Sequence, residues 1–302
     1  MKAIVDGASG FIGRNVVKEL LDQGSEVVAL SRNCTEIPAE WKRGVTMLPV
    51  NLDDLDQLSA FPEVWDADAW YHFGWEATSG DGRGDYKLQL NNVKRTCAAI
   101  LLAEQLGCRR FIHAGSIMEY EAMMHLTTDQ CKPGKGYIYS TAKLCADFMA
   151  KTLSASMGMK YVNVIISNVF GPGERSARFL NSTLRKMLKD EPIALTEGLQ
   201  MYDFIYISDA AKKLVFLGEK GEKNENYYLG NPTQRLLREY ILEMAEVCGS
   251  KSQLMFGVVP FSGPYLDYNA LDPGKMERMG IANQETFTTG ITKTIEWMRD
   301  EK

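Results

Sequence analysis

Histidine is nearly absent, with three in 302 residues, and the cysteines Cys34, Cys97, Cys108, Cys131, Cys145 and Cys248 show no Cys-x-x-Cys spacing. Structural metal sites draw several such ligands from short, fixed intervals, so no metal is expected, and thiols scattered in this way read as reduced. Positive charge is also in short supply: 34 Lys and Arg against 39 Asp and Glu leave a formal net charge of -5, without a basic cluster, which argues against a nucleic-acid partner. No apolar run approaches the length that spans a bilayer, and the chain opens on a short apolar strand, Ala3-Ile4-Val5, instead of a long apolar leader. The expectation is a cytoplasmic protein with no membrane partner. With 45% hydrophobic and 24% charged residues, a chain of this length can fill a sizeable core.

Short apolar runs alternate with amphipathic stretches. Ala3–Val5 is followed by a helical pattern over 14–23, a strand pattern over 26–30, and later strands at 111–113 and 162–166. Longer helical patterns occupy 86–106 and 139–157. This βαβ rhythm implies a parallel sheet covered by helices. After Gly171-Pro172-Gly173 the rhythm loosens into helical 178–189, a strand at 204–207, a helix at 209–217 and a last helix at 286–299. The expected architecture is therefore a Rossmann doubly wound sheet with a smaller C-terminal α/β lobe. Its boundaries are 1–168 for the dinucleotide-binding domain, with 202–218 returning to it, and 169–201 plus 219–302 for the substrate lobe.

Gly7-Ala8-Ser9-Gly10-Phe11-Ile12-Gly13 lies between the first strand and the first helix. Glycine there permits a tight turn and close backbone approach, and the free N–H groups at the helix start receive a pyrophosphate. Gly7, Ser9, Gly10, Phe11, Ile12 and Gly13 are the candidate cofactor contacts. The Gly-x-x-Gly-x-x-Gly spacing resembles that of the extended short-chain dehydrogenase/reductase superfamily, in its nucleotide-sugar-modifying branch.

At the end of the second strand, a fold preferring NAD places an acid against the ribose hydroxyls. This chain has Ser31 and Arg32, a hydroxyl and a guanidinium that suit a 2′-phosphate, so NADP(H) is the expected cofactor and NAD(H) the second choice. The alternative for Arg32 is stacking over the adenine or lying in solvent. By resemblance, Asn51-Leu52 bracket the adenine, with Asn51 standing where the family has Asp. Phe73-Gly74, in His72-Phe73-Gly74-Trp75, resemble the strand end lining ribose and phosphate; the alternative is a plain buried strand end.

Tyr139 and Lys143 are four residues apart and project from one helix face. A free phenol titrates near about 10, so its use as an acid or base at neutrality requires up to about 4 kcal/mol of phenolate stabilisation, which a neighbouring ammonium helps to supply. Ser116 ends a strand at the carboxyl edge of the sheet, where ligands gather. In the superfamily a Ser or Thr here, with the Tyr-x-x-x-Lys pair, holds the reacting oxygen; Ser116, Tyr139 and Lys143 match in register. The same Tyr and Lys count among the cofactor contacts. Asn92 matches the helix Asn that the family uses to anchor a water near the lysine, and its alternative is a buried Asn satisfying backbone.

Asn168-Val169-Phe170-Gly171-Pro172 resembles the family's Asn-Val-x-Gly-Pro turn, which makes Asn168 a substrate contact by that resemblance. The family's Arg before Asp-Phe is Tyr202 here, so the diphosphate of a nucleotide-sugar substrate needs another cation. Arg175 and Arg178 are candidates, with surface charge as their alternative role. The sugar 4,6-dehydratases follow the catalytic Thr with Asp-Glu, but Ile117 and Met118 stand here and cannot exchange protons. The resemblance, with the cofactor reading, implies an NADPH-dependent reductase of a 4-keto-6-deoxy nucleotide-sugar. A nucleotide-sugar 4-epimerase is the alternative enzyme, a non-catalytic dinucleotide sensor or scaffold the alternative of another class. The resemblance also implies a homodimer joined through the helices at 86–106 and 139–157, whose apolar faces could equally be core.

Overall fold

Ala3, Ile4 and Val5 have no exposed surface, because the strand β1 (Lys2–Asp6) pairs in parallel on both sides. In the computed structural model, which describes residues 1–32, 41, 44–127 and 134–301, the chain divides into two units. Cys34 and Cys131 lie outside the described residues. Cys97, Cys108, Cys145 and Cys248 are free thiols.

The first unit comprises Met1–Glu119, Gly134–Ile165 and Ala211–Tyr227. After β1 come α1 (Phe11–Asp22), β2 (Glu26–Ser31), β3 (Val45–Pro49), β4 (Ala69–His72), α2 (Tyr86–Gln105), β5 (Arg110–Ser116), the first two residues of α3 (Met118–Thr127), α4 (Tyr137–Ser154) and β6 (Lys160–Ile166). The seven-stranded sheet has the order β11-β6-β5-β4-β1-β2-β3, where β11 is Glu225–Leu229. β1 pairs Ala3 with Val27 of β2 and with Ala69 of β4, β2 pairs with β3, and β4 with β5, all parallel. Short parallel strands joined by crossover helices form a Rossmann sheet, with the order reversing between β1 and β4. Ile4, Val28, Trp70, Ile100, Phe111 and Tyr161 are in its main apolar cluster, each contributing about 1.5–3 kcal/mol of burial. α2 starts where the Asp85 carboxylate accepts the N–H groups of Lys87 and Leu88, at 3.0 and 3.3 Å, and it packs along α4.

The second unit comprises Tyr120–Pro133, Ile166–Ala210 and Tyr228–Lys302. It holds β7 (Val169–Phe170), α5 (Phe179–Met187), β8 (Ile193–Ala194), β9 (Met201–Tyr202), β10 (Ile205–Tyr206), the start of α6 (Ile207–Lys220), β12 (Arg235–Leu236), α7 (Leu237–Cys248), β13 (Leu254–Met255), α8 (Lys275–Arg278) and α9 (Phe287–Asp300). Its strands are two residues long and make two-stranded pairs, such as β7 with β10. Packing supplies what so few ladder bonds do not: Phe204, Tyr240 and Phe287 meet at centroid distances of 4.7 to 5.4 Å.

Three elements depart from the periodicity. α1 begins at Phe11, about a turn before the pattern at 14–23, because Gly10 and Gly13 belong to the turn and the helix that it opens. The helix α3, just after Ser116, is not among the elements that the periodicity marked. β3 escaped the pattern: Leu48 alone is buried, Val45, Thr46 and Met47 are half-buried and Pro49 is exposed.

Polar side chains thread the first unit's interior. Asp6 binds His72, whose ring stacks 5.9 Å from His113, which stacks 6.1 Å from Tyr161. Both nitrogens of the fully buried His113 ring lack a hydrogen-bond partner. Burial, with Lys143 and His72 nearby, holds its pKa well below 6.5. Above that pH neither the folded nor the unfolded chain protonates this ring. Below it the unfolded chain binds a proton that the folded one refuses, so stability falls by up to about 1.4 kcal/mol per pH unit. His113→Phe should flatten the loss of melting temperature between about pH 6.5 and 5; parallel wild-type and variant profiles would contradict this.

Candidate active site

The phosphate loop is shaped by close backbone approach. Gly7 has φ +61°, and a Cβ there would lie 2.8 Å from both the Gly74 nitrogen and the Phe73 carbonyl carbon. A Cβ on Gly13 would be driven into the Gly7 carbonyl oxygen. Gly10 donates its N–H to that same oxygen at 2.9 Å, and α1 starts without a side-chain cap, which leaves first-turn N–H groups for an anion. A pocket of about 430 Å3 opens over the loop, walled by Gly7, Ser9 and Gly10. Ser31 and Arg32 from β2 also line it, as do Asn51 and Leu52 after β3 and Phe73 and Gly74 after β4. Phe11, Ile12 and Gly13 form the first turn of α1 rather than this wall.

Charge at the pocket alternates in a way the sequence does not announce. The Arg32 Nη1 meets Glu76 Oε1 at 2.6 Å, and the other Glu76 oxygen meets Arg95 at 3.2 Å. Arg95 grips Asp53 with two bonds, 2.8 and 2.5 Å. Hydrogen bonding to Arg95 holds the Asp53 carboxyl down at about 2. Arg95, in the middle of α2, is only 6% exposed, whereas the Arg32 side chain is 69% exposed.

Tyr139 and Lys143 lie one turn apart on α4, 7% and 4% exposed. The Lys143 Nζ donates to the Ala114 carbonyl at 2.7 Å and sits 3.7 Å from the Trp75 ring centroid. Burial drives its pKa well below the ordinary lysine range, opposed by the Glu119 and Asp6 carboxylates. Glu119 is itself pushed upward by burial and by Asp147. Its Oε1 accepts the Ser116 N–H at 2.8 Å, while the Ser116 Oγ accepts the Met118 N–H at 3.2 Å. The Tyr139 ring meets the Trp75 ring at 81°, centroids 6.1 Å apart, and the Arg83 guanidinium carbon lies 4.6 Å from the Tyr139 centroid.

Asn92 is fully buried, and its amide clamps Glu76, donating to its carbonyl at 2.9 Å and accepting its N–H at 3.1 Å. Its second donor contact is Gln89 at 3.4 Å. These bonds occupy both amide hydrogens, which matches the backbone-satisfying alternative open in the sequence.

In the second unit Asn168 donates to the Asp203 carbonyl at 3.1 Å and accepts from the Tyr202 hydroxyl at 3.2 Å. Asn168 and Arg178 line one small pocket with Phe179 and Tyr202. Arg175 is not on that wall; it pairs with Glu301 at 2.7 Å, its side chain 72% exposed.

Trp75, Arg83, Glu76, Arg95 and Glu119 escaped sequence reasoning as neighbours of the site. Arg83 sits in the 3₁₀ turn Asp81–Gly84, between glycines and without periodicity. Glu119 had a signal, an acid inside an otherwise apolar stretch, Ile117-Met118-Glu119.

A Rossmann sheet with a glycine-built phosphate loop, beside a buried Tyr and Lys on one helix, defines an enzyme of the extended short-chain dehydrogenase/reductase type. Residues 3–230 match the model of the NAD dependent epimerase/dehydratase family, and the chain belongs to that family. It is 26% identical over 349 residues to a dTDP-glucose 4,6-dehydratase of Escherichia coli, covering 100% of this chain and 94% of that protein. It is 28% identical over 222 residues to a dTDP-6-deoxy-L-talose 4-dehydrogenase (NAD(+)) of Aggregatibacter actinomycetemcomitans, covering 71% and 78%. In fold it is similar to the UDP-glucose 4-epimerase of Thermus thermophilus in complex with NAD, with TM-score 0.78, 20% identity and 99% of each chain covered. The UDP-glucose 4-epimerase of Thermotoga maritima with UDP-glucose gives TM-score 0.81 at 18% identity, covering 100% of this chain and 99% of the other. Among the described residues, no helix is long and apolar enough to cross a membrane.

Proposed function

We propose that the protein reduces a 4-keto-6-deoxy nucleotide-sugar with NADPH, using Ser116, Tyr139 and Lys143. The observation that carries this reading is the segment after Ser116. Elimination of water needs an acid and a base beside the sugar, and Ile117 and Met118 provide neither. The acid of that segment, Glu119, is 2% exposed and spends one oxygen on the Ser116 N–H. What remains is carbonyl–alcohol chemistry. The named activity of the Aggregatibacter relative, a 4-dehydrogenase acting on a 6-deoxy sugar nucleotide, is such chemistry written in the oxidative direction.

The glycine cradle and its pocket fit a dinucleotide. Bound NADPH supplies the hydride. The Tyr139 hydroxyl donates its proton to the oxygen of the ketone, Ser116 donates a hydrogen bond to that oxygen, and Lys143 stabilises the phenolate left behind. Ser31 and Arg32 are the proposed 2′-phosphate contacts, for which Arg32 exchanges Glu76 for the phosphate. Asn92 supports the site through Glu76. The second unit is the proposed substrate lobe, with Asn168 and Arg178 as contacts to the nucleotide diphosphate; Arg175, tied to Glu301, is the weaker candidate. A 4-epimerase would use the same Ser, Tyr and Lys with retained NAD, and the pairing of Arg32 with Glu76 favours that second reading.

We further propose a homodimer through α2 and α4. Leu90, Leu101, Phe148 and Met149 on these helices are 49% to 69% exposed, so their apolar surface is not core.

Purified protein should oxidise NADPH stoichiometrically with a 4-keto-6-deoxy nucleotide-sugar, and Tyr139→Phe should lower kcat by about a hundredfold or more with cofactor affinity nearly unchanged. Isomerisation of a nucleotide-sugar without net NADPH loss would replace this reading with the epimerase. In equilibrium binding, Arg32→Ala should weaken NADPH by about tenfold or more and leave NADH almost unaffected; equal effects on both would remove the NADP(H) preference. Phe148→Glu should shift the sedimenting species from dimer to monomer, and an unchanged dimer would place the interface elsewhere.

A further inference from the structure

We propose that Arg83 is a second cation, beside Lys143, that supports the ionised form of Tyr139. The inference rests on the reading of Tyr139 as proton carrier. The Arg83 guanidinium carbon lies 4.6 Å from the Tyr139 ring centroid, while the Trp75 ring meets the same tyrosine at 81°. A cation over a neutral phenol is held by the ring quadrupole. When the phenol loses its proton, negative charge spreads into the ring, and the same contact becomes an attraction between opposite charges.

The charge of Lys143 is divided. Its Nζ is committed to the Ala114 carbonyl and the Trp75 face, and burial favours the loss of its proton. A guanidinium does not lose its proton at any pH the protein survives, so Arg83 remains a cation wherever Tyr139 works. Its Nε is buried without a hydrogen-bond partner, and among the described residues no carboxylate is paired with it.

Among the described residues, the other charged groups on the elements beside Tyr139 do not offer a substitute. Lys143 shares its helix and has the Glu119 carboxylate nearby, which in turn feels Asp147. Asp81 precedes Arg83 in the same turn, and Asp85 follows it as the cap of α2. Lys135, just before α4, packs on Gly84 through its Cβ. After β4, Glu76 is spent on Arg32 and Arg95. From β5 come His113, held neutral, and Ser116, which carries no charge. Arg83 is therefore a positioning residue that acts through the tyrosine.

The test reads the tyrosine directly and needs no turnover. The near-ultraviolet phenolate absorbance is titrated for wild type, Arg83→Gln and Arg83→Lys, each minus its counterpart carrying Tyr139→Phe, so that only Tyr139 is counted. Arg83→Gln should titrate about one unit higher than wild type, with Arg83→Lys restoring most of the difference. Coincident titrations of wild type and Arg83→Gln would overturn the inference. So would equal shifts in the glutamine and lysine variants, which would mean that shape and not charge matters. Arg83→Met, which keeps much of the aliphatic stem, replaces the glutamine variant if that one does not fold. A protein that shows the shift but never oxidises NADPH would keep this inference and lose the reductase reading.

Discussion

The carboxylate of Asp6 is the fixed point from which the glycine loop and the pocket over it are built. It is fully buried at the end of β1, and its oxygens accept three bonds: from His72 Nδ1 at 2.6 Å, from Trp70 Nε1 at 2.7 Å and from the Gly74 N–H at 2.6 Å. A buried carboxylate is tolerated only when it is so satisfied, and removing one partner leaves a desolvation penalty of about 1–3 kcal/mol or more. The consequence is geometric. The carboxyl ends of β1 and β4 cannot drift apart, so Gly7 is held against Gly74 at a separation that only glycine allows. Through His72 Nε2 and the Thr96 hydroxyl, 3.0 Å apart, the same anchor reaches α2.

From β4 the constraint passes to the chemistry. Trp75 follows Gly74, and its ring is the surface on which Lys143 rests and against which Tyr139 turns its edge. Glu76 comes next, held through its backbone by Asn92 and through its carboxylate by Arg32 and Arg95. One short segment therefore links the pocket over the glycine loop to Tyr139 and Lys143. The electrostatic setting follows from burial. An ammonium removed from water costs several kcal/mol unless partners compensate. Lys143 has a carbonyl, an aromatic face and the Glu119 carboxylate in place of water.

Much of this was legible in the residues. The strand–glycine loop–helix order, the strand patterns of β1, β2 and β5, and the four-residue Tyr139–Lys143 spacing on a helix are local properties, written in neighbouring residues. The rest was not local. Arg95 meets Asp53 across 42 positions, and Arg32 meets Glu76 across 44, so neither partner could be read from spacing. Arg83 lies in a glycine-flanked turn that carries no hydrophobic period, and its place over Tyr139 depends on how that turn packs on α4. The second unit was the least legible, because strands of two residues are too short to show alternation and are held by aromatic packing.

On the proposed reading, Ile117 and Met118 set this chain apart from what the names of its dehydratase relatives would lead one to expect, and Tyr139 and Lys143 have a ketone and an alcohol to interconvert. The most direct measurement of that claim follows the hydride itself. Protein incubated with NADPH deuterated at the transferred position and a 4-keto-6-deoxy nucleotide-sugar should release a product that carries the deuterium at its C4 carbon, one deuterium for each NADPH consumed. A product without deuterium, or a changed C4 configuration with no NADPH consumed, would contradict the account.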